Sequence, residues 1–336
     1  MQSIEFRTGD AFLLRHARPM EATTAERTIR ACLHLPTFGS GPFPAVVLSQ
    51  GLSGVSVARE HRYAKLLAEH GIAALVFDSF AARSRSRLAD PFKALQVSET
   101  MLLGDAFAAL SHLAARPDIR AADIAIVGFS YGGMIAVLAA YRQIAETFLP
   151  DGPRFSRHVA YYGCSIPRLD DPTTTGAPVT MLIGEKDRNV DLTRTRVIAE
   201  DLRAGGSKVD LTLYPDLYHQ WDDADAGHKF VLLELAGCRM RVTRENRIVD
   251  ERTGLSMRGW WTRSAILALS CGLTGYHTKP DAEATAISDA HLLAALAGRD
   301  TGPSRPPKKF AAAPHRAPDA DFARNAGALV EPVAGR

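Results

Sequence analysis

Apolar residues fall in short unbroken runs through the first two-thirds of the chain, and helical patterns separate them. AVVLSQG (45–51), IAALVFDS (72–79), IAIVGF (124–129), HVAYYG (158–163), VTMLIGE (179–185) and VDLTLYP (209–215) read as strands. Between the first two, Tyr63, Leu66, Leu67 and His70 fall at helical spacing, with Gly71 as the stop. Ser98 is placed as the N-cap of a helix that presents Leu102, Ala106, Ala109, Leu110 and Leu113 on one face and closes at Arg116-Pro117. A small-residue helix is expected over Met134–Tyr141, and another over Leu192–Leu202 ending at Gly205-Gly206. Near-continuous apolar strands alternating with helices predict an α/β fold with a mostly parallel sheet covered on both faces. In such sheets ligands bind at the carboxyl ends of the strands, so the strand-end residues carry the most information.

The last third differs. Residues 238–254 alternate apolar and polar positions about Glu245-Asn246, as a hairpin does, and a helix is expected over Ser288–Ala297. From residue 302 the chain is rich in Pro, Ala and Arg with few large apolar residues, the composition of a disordered tail. The expected organisation is one domain over 1–300, with a core at about 25–235 and a hairpin–helix appendage at about 236–300, followed by a tail over 301–336. Trp260-Trp261 are expected to pack the hairpin onto the main sheet.

Composition narrows the function classes. The 336 residues are 46% hydrophobic and 23% charged with a net charge of +3, which suits a globular protein and gives no basic footprint for nucleic acid. Cys32, Cys164, Cys238 and Cys271 lack C-x-x-C spacing and neighbouring histidines, so buried free thiols are expected rather than a metal site or a disulfide framework. The N-terminus lacks the apolar core of a signal peptide, and Ser264–Gly275 is too short to span a bilayer; a cytoplasmic location and no membrane partner are expected.

The strand 124–129 runs into Gly128-Phe129-Ser130-Tyr131-Gly132 followed by Gly133, the G-x-S-x-G pattern of a nucleophile elbow. Asp187 follows the strand 179–185, and His219 follows the strand 209–215. Serine, acid and histidine at three strand ends, in that order, match the arrangement of α/β-hydrolases. Ser130 is the expected nucleophile, His219 its base and Asp187 the group that orients the imidazole. Glu185 is the alternative acid and His228 the rival histidine. Backbone N–H groups of Tyr131 and Leu52 are the expected oxyanion donors. A turn serine, a surface aspartate and a structural histidine remain the plainer readings of the three positions.

Over residues 25–255 the chain resembles the dienelactone hydrolase family, through AVVLSQGLSG, RYAKLLAEHGIAALVFDSF, ADIAIVGFSYGG, LIGEKD and TLYPDLYHQWD. The resemblance implies an α/β-hydrolase acting on small-molecule esters or lactones without metal or cofactor, with Ser130, Asp187 and His219 as its catalytic residues. Two positions depart from the pattern. Serine stands where the founding members have cysteine, which favours general ester hydrolysis, and Gln50-Gly51 replaces His-Gly. Arg83 resembles in placement an arginine that holds substrate carboxylates, with a solvated basic loop at Arg83, Arg85 and Arg87 as the plainer reading. Gln50, Trp221, Tyr131 and Phe80 are further candidates to line the pocket. A peptidase or thioesterase with the same three residues, or a non-catalytic binding protein on the same fold, are the alternative readings. No oligomeric state follows from the sequence.

Overall fold

The computed structural model describes residues 1–17, 26–163, 165–231, 235–271 and 275–299. The expected tail over 301–336 and Cys164 lie outside them.

An antiparallel ribbon opens the chain: β1 (Gln2–Gly9) pairs with β2 (Glu26–His34) from Gln2↔Leu33 to Gly9↔Glu26. The parallel strands follow as β3 (Phe43–Ser49), β4 (Ala73–Phe77), β5 (Ile119–Phe129) and β6 (His158–Tyr161). A short strand β7 (Pro167–Leu169) leaves the main sheet, which resumes with β8 (Val179–Gly184) and β9 (Val209–Tyr214). The eight strands run in the order β1-β2-β4-β3-β5-β6-β8-β9, parallel from β4 through to β9. Parallel strands need long crossovers, which here carry α1 (Arg62–Glu69), α2 (Asp90–Gln96), α3 (Glu99–Ala114), α4 (Tyr131–Leu138), α5 (Arg142–Phe148) and α6 (Leu192–Ala204), while the β6–β8 connection carries β7 and, among its described residues, no helix. Ser98 caps α3 by accepting from the Met101 N–H, as its sequence position predicts.

β1 and β2 went unpredicted, and β1 extends the core sheet upstream of residue 25. Only one face of β1 is buried, so Phe6 and Thr8 point inward between exposed Glu5 and Arg7. That alternation differs from the continuous apolar runs of the central strands, which are covered on both faces. The elbow helix also begins three residues before the expected Met134, directly after Ser130.

Alternate strand residues feed two cores. Val47, Leu75 and Ile126 meet α2 to α6 on one face, while Val46, Val76, Val127 and Phe129 meet α1 on the other. The second face is completed by α8 (Ala282–Leu296), capped by Asp281 and six residues longer at its start than expected. Ala284 and Leu292 of α8 pack against Tyr161, Tyr214 and Trp221. This helix therefore belongs to the main body and not to an appendage.

The appendage is smaller than expected. β10 (Lys229–Val231) pairs antiparallel with β13 (Tyr276–Thr278). The predicted hairpin forms as β11 (Met240–Val242) and β12 (Ile248–Asp250), with β11 lying parallel to β7. α7 (Trp260–Ser270) follows, and a disulfide joins Cys238 before β11 to Cys271 after α7. This corrects the expectation of free thiols at those two positions. Thirty-three residues separate the cysteines, and only the fold of hairpin and helix brings them together. Cys32 is a buried free thiol. The tryptophans do not anchor the hairpin: Trp260 and Trp261 are 50% and 71% exposed and stack on each other. Ion pairs hold it instead, with Arg194 forking onto Glu251 at 2.8 and 2.9 Å and Arg239 pairing with Asp191.

Candidate active site

The β5–α4 turn leaves almost no space around Ser130. A Cβ on Gly128 would lie 1.9 Å from the Gly132 carbonyl oxygen, and one on Gly132 would lie 2.0 Å from that of Ser49. Neither position admits a side chain, which explains two of the motif's glycines. Ser130 itself takes φ 53°, ψ −109°, a left-handed backbone strained for a non-glycine residue. The Ser130 N–H donates to the Tyr161 carbonyl at 2.9 Å, so the strained residue is pinned to β6.

Three strand ends converge here. His219 Nε2 lies 2.8 Å from Ser130 Oγ, and His219 Nδ1 lies 2.6 Å from Asp187 Oδ2. The other carboxylate oxygen of Asp187 accepts the Asn189 N–H at 2.8 Å. The imidazole is fully buried and gripped edge-to-face by Tyr162 and Tyr276, with ring centroids 4.8 and 4.7 Å away. Its backbone N–H donates to the His277 carbonyl, which ties the histidine loop to β13. Glu185 and His228 are both exposed, and neither joins this chain of hydrogen bonds.

The loop after β3 reaches the same point. A Cβ on Gly51 would come 3.5 Å from Ser130 Cβ. The Gly54 N–H closes a turn onto the Gly51 carbonyl at 3.0 Å, and the Leu52 N–H has no hydrogen-bond partner among the described residues. Tyr131 is the first residue of α4, where helix geometry leaves the backbone N–H without an intrahelical acceptor. Two buried cations hold the loop's carbonyl side. Lys93 Nζ donates to the Leu52 and Ser53 carbonyls at 2.9 and 3.3 Å, and Arg59 Nη2 donates to the Gly54 carbonyl at 3.2 Å.

Arg59 heads a polar network that sequence reading missed. It is fully buried, pairs with Glu60 at 2.8 Å and lies 3.6 Å from Asp223. Asp222 accepts hydrogen bonds from Tyr63 at 2.8 Å and Tyr162 at 2.7 Å. Burial raises the Glu60 and Asp222 carboxyls above their ordinary range, against the opposing pull of Arg59. Burial likewise raises the phenols of Tyr63 and Tyr162, and in each the Asp222 charge adds to the effect. Through Tyr162 the network abuts His219, and through Arg59 it holds the loop beside Ser130. Its signal in the sequence is faint: Arg59-Glu60 is followed by His61-Arg62, and Asp222-Asp223 lies between His219-Gln220 and Asp225, so nothing local marks these charges as buried.

Three expected substrate-binding residues lie elsewhere. Arg83 is buried and forks onto Asp105 at 2.7 and 3.0 Å, while its Nε donates to Asp10 at 2.7 Å. Four of its five N–H donors are committed to Asp10, Asp105 and the Ser79 carbonyl and its side chain is buried, which leaves it poorly placed to hold a substrate carboxylate. Gln50 is buried with its amide donating to the Phe77 carbonyl at 2.7 Å and accepting the Ser79 N–H at 2.8 Å, which laces β3 to the end of β4. Trp221 is fully buried among Tyr161, Tyr162 and Tyr214, with its indole N–H donating to Ser288 Oγ at 3.2 Å. Phe80 is likewise core. An apolar cavity of about 50 Å³ lies behind α4 between Tyr131, Met134, Met240 and Met257, and neither Ser130 nor His219 lines it. Among the described residues no group of three or more His, Cys, Asp or Glu could hold a metal ion, and no helix is long and apolar enough to cross a membrane.

Comparison with known proteins gives this arrangement a family. The model of the dienelactone hydrolase family matches residues 29–230, more than half of the chain. The "Putative carboxymethylenebutenolidase" of Yersinia pestis is 27% identical over 204 residues, covering 56% of this chain and 72% of that protein. Its namesake in Escherichia coli K12 is 26% identical over 207 residues, covering 56% and 70%. Among solved structures, the "Putative Dienelactone Hydrolase" of Klebsiella pneumoniae is 22% identical with a TM-score of 0.48, covering 65% of this chain and 88% of its own. The sheet order, the match of the family model and the two carboxymethylenebutenolidase relatives lead to one conclusion: the chain belongs to the dienelactone hydrolase family, has the α/β-hydrolase fold and is a carboxylic ester hydrolase.

Proposed function

We propose that the protein cleaves a carboxylic ester or lactone through an acyl-enzyme intermediate on Ser130. The observation that carries this reading is the chain of hydrogen bonds from Ser130 Oγ through His219 to Asp187, 2.8 and 2.6 Å long. A free serine hydroxyl is a weak nucleophile at neutral pH and needs a base within this reach. His219 Nε2 takes the hydroxyl proton as Oγ bonds to the substrate carbonyl carbon. The carbonyl π electrons move onto oxygen, and the resulting oxyanion is met by the N–H groups of Tyr131 and Leu52. Asp187 fixes the tautomer with its proton on Nδ1 and stabilises the imidazolium. Collapse expels the alkoxide, which takes the proton from Nε2; in a lactone the alcohol stays tethered to the acyl group. Water then repeats the sequence and releases the acid.

The edge-to-face tyrosines and complete burial leave His219 one orientation, which favours preorganised general-base work over a loosely placed structural histidine. With Arg83 committed to Asp105 and Asp10, a neutral ester is the favoured substrate class over one carrying a carboxylate. Ser130→Ala tests the mechanism. It should abolish the mass adduct formed with a fluorophosphonate and lower kcat on 4-nitrophenyl acetate by about 10⁴-fold or more, in keeping with loss of a triad member. Persistent labelling and turnover in the folded variant would assign the nucleophile elsewhere.

A further inference from the structure

Both proposed oxyanion donors are braced by one short helix, and that helix is held by the appendage. On the loop side, Lys93 of α2 is 4% exposed and directs Nζ at the Leu52 and Ser53 carbonyls, 2.9 and 3.3 Å away. A trans peptide points its C=O and N–H in opposite directions. Fixing the Ser53 carbonyl toward Lys93 orients the 53–54 peptide, whose N–H on Gly54 donates to the Gly51 carbonyl at 3.0 Å; that carbonyl shares its peptide with the Leu52 N–H, so Lys93 sets the direction of the Leu52 N–H through this turn. On the elbow side, the Tyr131 hydroxyl donates to the carbonyl of Val97, the C-cap of α2, at 3.0 Å. The residue that supplies one oxyanion N–H is thus fastened by its side chain to the helix that orients the other.

Arg263 of α7 closes the circuit. It is 3% exposed, and its Nε donates to the Ala94 carbonyl, next to Lys93, at 2.6 Å. Its Nη2 donates to the Tyr131 hydroxyl at 3.2 Å. The remaining fork grips Glu99 at 2.7 and 2.9 Å, at the start of α3. Burial works against a charged guanidinium here, and Glu99 and Tyr131 together more than offset it, raising Arg263 above its ordinary value. One planar cation thus contacts α2, α3 and the elbow residue, using the fixed donor geometry that lysine lacks.

We infer that Lys93 and Arg263 are positioning residues that set the geometry of the oxyanion pocket, so that the C-terminal appendage, through α7, takes part in catalysis. This rests on the reading of Ser130 as nucleophile with Tyr131 and Leu52 as donors. Neither cation touches the reacting atoms, and their effect on rate passes through the backbone N–H groups. A small displacement of such donors matters, because misplacement by about 1 Å costs on the order of 10²-fold in rate.

The test uses the full chain with 4-nitrophenyl acetate, and with an aryl trifluoromethyl ketone whose hemiketal oxyanion mimics the tetrahedral intermediate. Lys93→Met should lower kcat about 10- to 100-fold with KM nearly unchanged, and should weaken the ketone's inhibition by a similar factor, as loss of oxyanion stabilisation does. Lys93→Arg should recover most of both. Arg263→Lys keeps the charge but loses the fork, and should move kcat and ketone affinity in the same direction; it decides the matter should Lys93→Met not fold. Wild-type kcat and ketone affinity in a folded Lys93→Met or Arg263→Lys protein, with Ser130→Ala inert, would overturn the inference. Turnover that survives Ser130→Ala would instead overturn the nucleophile assignment beneath it.

Discussion

The two faces of the central sheet are built from different materials. The face under α2 to α6 is largely aliphatic: Leu102, Ala106, Leu110, Ile126, Ile135 and Val137 interlock there, and its buried charges are the pairs of Arg83 with Asp105 and Arg263 with Glu99. The face under α1 and α8 is aromatic and charged. It holds Tyr63, Tyr161, Tyr162, Tyr214 and Trp221 around the buried network of Arg59, Glu60, Asp222 and Asp223. Apolar packing is non-directional and tolerates rearrangement at constant volume. Hydrogen-bonded charges demand particular partners at particular angles. The reactive chain sits where the faces meet, with Ser130 leading into α4 on the aliphatic side and His219 pressed against Tyr162 on the other. The contrast teaches that the first face supplies stability in bulk and meets the site through two cations, Lys93 and Arg263, while the second aims the histidine and the 51–54 loop through a network of directional bonds.

Breaking a buried ion pair on each face tests the contrast most severely. Arg59→Met and Arg83→Met each strand carboxylates in the interior and should each cost about 3–5 kcal/mol, read from urea unfolding. Only Arg59→Met should also lower kcat of the folded fraction, since Arg59 grips the Gly54 carbonyl beside Ser130. Arg83→Met should leave kcat unchanged, and KM as well for neutral and carboxylated esters. Equal activity losses in the two variants would erase the distinction between the faces.

Acid should expose the few histidines that break the pattern. Burial pushes His158, whose Nδ1 lies 2.9 Å from the Ala136 carbonyl, down to about 4. Burial, aided by His61, takes His34 down to about 4 as well. The unfolded chain protonates these groups near 6.5 and the folded chain resists until near 4, so their contribution is complete above 6.5 and disappears as pH falls toward 4. Each contributes about 3 kcal/mol across that window. Melting followed from pH 7 to 4 should show the decline, and His158→Gln should flatten part of it; an unchanged slope in that variant would remove His158 from the account.

The mildest test is Ile126→Val on the aliphatic face, expected to cost about 0.5–1.5 kcal/mol with kcat intact. A fall in kcat beyond twofold would mean that the aliphatic packing itself, and not only Lys93 and Arg263, aims the site.

Much of this was legible before any coordinate. The central strands declare themselves because burial on both faces demands unbroken apolar runs. The elbow glycines are legible because a turn that brings backbone within 2.0 Å of a would-be Cβ admits nothing else. Asp187 and His219 could be found because chain order and strand ends are local facts, and the structure brings His219 within hydrogen-bond reach of both Asp187 and Ser130. β1 was missed because an edge strand with one wet face reads as ordinary alternation. Arg83 misled because an arginine on a strand-end loop looks alike whether it faces a substrate or Asp105, 22 residues away.

By itself, then, the sequence determined the six parallel strands, the elbow and which strand ends carry a serine, an acid and a histidine, since each follows from local periodicity or local sterics. Only the tertiary structure decided which buried charges meet: Arg59 with Asp223, Arg263 with Glu99 and Tyr131, Lys93 with the carbonyls of the 52–53 loop, and Cys238 with Cys271. The physical reason is that a buried polar group is defined by its partner. Those partners lie tens to more than a hundred residues away, where no periodicity reaches.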